Sequence, residues 1–172
     1  MGTNWQADKK ESDRYIPHIK SLLGGFLIGE PPVEEDQERN TDLMVLKMEA
    51  VRVGCRIRTL DYLHRYPDDI TIRMSRPSGN QTEMAKIIEG WGQYFFYGFG
   101  NPANDLVEAW TLIDLNKFRL HIATCLKRTS SLPGNRLTNH DGSSDFQVIN
   151  LNDLPDQCII YRQKYKQKGV AA

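Results

Sequence analysis

Arg56 and Arg58 stand one residue apart at the end of the run AVRVGCRIRT, residues 50–59. A guanidinium is planar, permanently charged and carries five donors in a fixed fork, so such a pair suits bidentate capture of phosphate. The same properties exclude both residues as metal ligands and make them poor general bases. Carboxylates lie nearby in the sequence. Asp42 opens the preceding apolar run, and Asp36 or Glu35 comes six or seven residues earlier. Glu83 and Lys86 are spaced i, i+3 in a helical stretch, which places them on one side of it. Carboxylates hold Mg²⁺, a hard cation, and a bound ion lowers the pKa of an attacking water in phosphodiester hydrolysis. Arg73, at the matching end of the next apolar run, extends the cationic set.

These side chains need elements to position them. Ile16, Ile19, Leu22, Leu23 and Phe26 trace one helical face, with Asp13 as cap and Pro17 in the first turn. The acidic segment GEPPVEEDQERN reads as loop or short helix. DLMVLKM and AVRVGCRIRT read as strands joined tightly around Met48, Glu49 and Ala50. In the second, Val51, Val53, Cys55 and Ile57 alternate with Arg52, Gly54, Arg56 and Arg58, which predicts aliphatics on one face and arginines on the other. A loop through Tyr66-Pro67 leads to a third strand in DDITIRMS, and RPSGNQ is a turn. Thr82 caps a helix whose stripe runs Met84, Ile87, Ile88, Trp91 and Tyr94 or Phe95; Gly90 and Gly92 within it suggest close packing. AWTLIDL is a fourth strand, LNKFRLHIATCLKR a short helix or a continuation, SSLPGNRLTNHDGSSD a polar loop and FQVINL a late strand. The expected division is a flexible N-terminus over 1–12, one α/β domain over 13–160 and a basic flexible tail over 161–172.

Helix, three strands, helix, strand is the order of the PD-(D/E)xK nuclease superfamily, and the chain resembles that superfamily over residues 13–115. Thr41-Asp42-Leu43 looks like its strand-initiating aspartate. The next strand ends where the family carries (D/E)-x-K, and residues 34–38 lie where the first helix or its exit supplies another acid. The resemblance implies an α/β fold with a mixed central sheet flanked by helices, a restriction-endonuclease-like αβββαβ core. It implies Mg²⁺ on Asp36, Asp42 and Glu83, with Arg56, Arg58 and Lys86 neutralising the scissile phosphate of DNA. The departure is Arg56-Ile57-Arg58 in place of an acid and a lysine. Some members of the superfamily carry a displaced acid or lysine on the helix after the third strand, where Glu83 and Lys86 stand. The other reading is a non-catalytic module that binds nucleic acid or protein on a degenerate nuclease fold, or a homo-oligomer assembled through residues 91–99.

Each residue also has a plainer role. An aspartate before a strand bonds its own turn. Arg56 and Arg58 pair with Glu38 or Asp61, Glu83 answers a helix dipole, and Lys86 is solvated. Trp91, Tyr94, Phe95, Phe96 and Tyr97 either stack bases or form core. The 22 basic residues equal the 22 acidic ones, which argues against a broad non-specific DNA binder. The charges are nonetheless segregated, acidic over 30–42 and basic from Lys47 to Arg76. Cys55, Cys125 and Cys158 are too far apart for a CxxC pair, and His18, His64, His121 and His140 lack metal spacing. A polar N-terminus and the lack of an apolar run near 18 residues predict a cytoplasmic chain without membrane contact.

Overall fold

The computed structural model describes residues 10–11, 13–24, 28–29, 44–45, 51–75 and 81–165. The chain divides into two compact units, Met1–Ala50 with Asn101–Val107, and Val51–Gly100 with Glu108–Ala172. In the first, helix α1 (Ile16–Gly24) buries Ile19, one of the apolar positions its periodicity predicts. Strand β1 (Ile28–Gly29) pairs antiparallel with β2 (Met44–Val45), the described part of the expected first strand. Arg14 donates from Nε to Asp105 at 2.6 Å, and Val107 N donates to His18 Nδ1 at 2.8 Å.

The second unit runs β3 (Val53–Thr59), α2 (Leu60–Arg65), β4 (Asp69–Arg73), α3 (Glu83–Ile88), β5 (Tyr94–Asn101), β6 (Leu106–Asp114), α4 (Leu115–Thr129), β7 (Asn135–Thr138), β8 (Asp145–Asn150) and β9 (Ile159–Gln163). The outer ends of β5 and β6 belong to the first unit. The fold is α/β, with a four-stranded mixed sheet in the order β3-β5-β6-β9 and helices flanking it. β3 runs parallel to β5, and β6 antiparallel to β9. β4 does not join that sheet; it pairs with β8, and β8 with β7, in a separate antiparallel sheet. Three consecutive strands of one sheet are therefore not found in β3 and its successors. Helix α2 intervenes where a loop was expected, and β4 takes its ladder from a strand some 80 residues later.

The helix expected to run on from Thr82 stops at Ile88. Gly90 and Gly92 adopt φ of 94° and 77°, left-handed values that end the helix and that residues with a Cβ rarely take. The aromatic run after them is strand β5. Phe95, Phe96, Tyr97 and Phe99 are all buried and belong to the core; Trp91, in the turn, is exposed. A continuous apolar run of this kind is what a strand covered on both faces requires. Tyr161, Arg162 and Gln163, expected in a flexible tail, pair with β6; residues 166–172 of that tail lie outside the described residues. Among the described residues no helix is long and apolar enough to cross a membrane.

Candidate functional site

The parallel register sets Arg56 beside Tyr97 and Arg58 beside Phe99. Residues paired in this way project to the same face of a sheet. Phe95, Tyr97 and Phe99 pack into a core with Leu63, Ile70, Ile72, Met84 and Ile87. The two arginines therefore point inward while Cys55 on the other face is exposed, the reverse of the assignment that hydrophobicity suggests. Alternation tells the two faces apart, but it cannot rank them when both are partly covered.

Inside, Arg56 finds the carboxylate of Glu83. Its NH1 lies 2.6 Å from Glu83 Oε2, and the side chains are 12% and 30% exposed. The same oxygen accepts the backbone N–H of Arg73 at 2.9 Å. One carboxylate on α3 thus ties β3 to β4. Thr82 positions it by capping α3, its Oγ1 accepting from Ala85 N at 3.3 Å. Arg58 forms no ion pair among the described residues; its guanidinium carbon sits 3.8 Å from the centre of the Tyr62 ring, a cation–π contact. The Nε atoms of Arg56 and Arg58 are both buried and have no hydrogen-bond partner among the described residues. Leaving such donors unmade costs roughly 1–3 kcal/mol each, more when the group is charged. Nearby, Tyr97 Oη and Thr71 Oγ1 are 3.2 Å apart. Burial pushes the Tyr97 hydroxyl up, against the Thr71 bond and the positive charges of Arg58 and Arg56. A neutral phenol next to two cations presents a donor and no competing anion.

Four of the expected site residues thus meet, Arg56, Arg58, Glu83 and, through its main chain, Arg73. Asp36 and Asp42 lie outside the described residues. Lys86 is exposed on α3 and forms no ion pair among the described residues. Asp61 is exposed and is not the arginines' partner. Glu83, expected as a Mg²⁺ ligand, has Oε2 held by a guanidinium and an amide. Among the described residues no three of His, Cys, Asp and Glu are grouped to hold a metal.

Tyr62 and Thr71 are not among the site residues the sequence suggests, and Tyr97 enters there only as a stacking or core aromatic. The signal for α2 was present: Leu60 and Leu63 are spaced i, i+3, with Asp61 in the first turn and His64 and Arg65 in the last. Thr71 and Tyr97 carry no local signal, since their meeting depends on two sheets facing each other. No family model, no curated protein and no solved structure matches the chain.

Proposed function

We propose that the inward cluster on β3 binds a phosphate of nucleic acid and that the protein is a binding module. The observation that carries this is the state of the two guanidiniums. Both are turned inward, one oxygen of the nearby carboxylate is held by Arg56 and an amide, and among the described residues neither Nε–H has an acceptor. A phosphate oxygen is the acceptor such forks suit. Tyr62, 38% exposed over Arg58, is the side chain that would give way to admit it. On this reading the Arg56-x-Arg58 pair, and not a bound metal, makes the contact with the phosphate. The alternative, Mg²⁺-dependent hydrolysis of DNA, needs Glu83 released from Arg56.

Fluorescence anisotropy with labelled single- and double-stranded DNA across a salt series tests the reading. The wild type should bind with an affinity that falls linearly in log–log against salt, and Arg58→Gln should weaken binding and lower that slope by about one. Lack of salt-sensitive binding, or an unaltered slope in Arg58→Gln, would refute it. Cleavage of plasmid in Mg²⁺ that is lost in Asp42→Ala would replace it with the hydrolase.

A further inference from the structure

Beside the arginine pair lies a cavity of about 340 Å³. Phe99, the register partner of Arg58, forms part of its wall with Ala109 and Leu151, so the two features share strand β5. The volume falls at the lower end of the range for small-molecule sites, which combine apolar walls with a few convergent polar groups. Here the charged groups are Arg162, Lys164 and Asp68, beside the neutral polar Thr111 and Gln163. Arg162 is ion-paired to Asp68 and donates to Asn152 Oδ1 at 3.3 Å and to Pro67 O at 3.4 Å, so its fork is held in place. Arg162 and Lys164 against Asp68 leave one net positive charge at the lining. The rings of Tyr165 and His64 meet edge to face at 5.7 Å and complete an aromatic side.

Apolar and aromatic walls with a surplus cation fit a flat organic body that carries an anionic group. We infer that the cavity takes a nucleoside monophosphate, either free or as the 5′-terminal nucleotide of a strand. The base packs against Phe99, Ala109 and Leu151, and the phosphate meets Lys164 and the N–H of Arg162 that its bonds to Asp68, Pro67 and Asn152 leave over. The choice of a nucleotide over other organic anions rests on the nucleic-acid reading of the adjoining arginines.

Calorimetric titration of the full chain with AMP and UMP, with adenosine and inorganic phosphate as comparisons, tests this. Saturable binding of the monophosphates is expected, about tenfold or more tighter than either comparison, and about tenfold weaker in Lys164→Gln. Lys164 is exposed, so that variant should fold; circular dichroism checks it. A 5′-phosphorylated oligonucleotide that displaces AMP, where its unphosphorylated form does not, assigns the cavity to a strand end; no displacement by either assigns it to the free nucleotide. The inference is overturned if neither the monophosphates nor the 5′-phosphorylated strand binds better than the comparisons, or if Lys164→Gln binds as well as wild type. Salt-sensitive strand retention without any dependence on a nucleotide phosphate in the cavity overturns this inference alone. Monophosphate binding without strand retention overturns the arginine site alone.

Discussion

At the scale of single residues, the Arg56–Glu83 pair is the feature with the largest consequence. Removing one partner of a part-buried pair leaves an uncompensated charge, whereas replacing both with apolar or neutral groups is often near neutral. Glu83→Gln should therefore destabilise the protein by about 3 kcal/mol, because Arg56 loses its counter-charge. The double variant Arg56→Met with Glu83→Gln should recover much of that loss. Urea unfolding of the single and double variants measures both. If the single substitution costs less than about 1 kcal/mol, the pair is a surface contact and not an internal tie. The test also bears on function, since a stable double variant that still retains DNA would remove Arg56 from the phosphate site.

At the scale of elements, the junction between α3 and β5 decides how a long apolar sequence is divided. Arg119 on α4 holds that junction: its Nε donates to Ile87 O at 2.6 Å, and its NH2 to Trp91 O at 2.9 Å and Gly92 O at 2.6 Å. Trp91 and Gly92 lie beyond the helix, where their carbonyls have no intrahelical donor, while Ile87 O also accepts from Gly90 N at 3.1 Å. Gly92 must keep a φ of 77°, and a Cβ there would lie 3.2 Å from Leu115 Cδ1, a side-chain atom able to shift. The cost of Gly92→Ala is therefore mainly conformational, about 1–2 kcal/mol. A thermal melt should show the lowered Tm. An unchanged Tm would mean that the turn accepts another conformation.

At the scale of the molecule, ionisation bounds the pH range of stability. Asp68 is held below the usual carboxylate range by its bond to Arg162, and Asp145 by Arg136. The unfolded chain then binds more protons near its carboxylate pKa of about 4, so stability is complete above that pH and lost as pH falls. Tyr97 shifts the other way. Its neutral form is favoured in the fold, so that contribution is complete below the unfolded value of about 10 and lost as pH rises. Denaturation across pH should give a plateau between these limits. Asp68→Asn should shrink the acid limb while leaving the part due to Asp145. An acid limb identical to wild type would show that the link from β9 to Asp68 contributes nothing to stability.

What the sequence determined by itself is what local periodicity and turn chemistry encode. The face of α1, the start of α3 at Thr82 and the presence of strands in AWTLIDL and FQVINL follow from residue spacing and caps, though the strands run over Leu106–Asp114 and Asp145–Asn150. The Arg-x-Arg pair was likewise visible as phosphate chemistry. Tertiary structure alone decided which face of β3 is inside, because period-two alternation separates the two faces of a strand without saying which one is covered. It also decided that Glu83 would answer Arg56 from 27 residues away, that β4 would leave the sheet of β3, and that Arg162 would reach Asp68 across 94 residues. Contacts at such separations depend on how sheets stack, and no spacing along the chain records that.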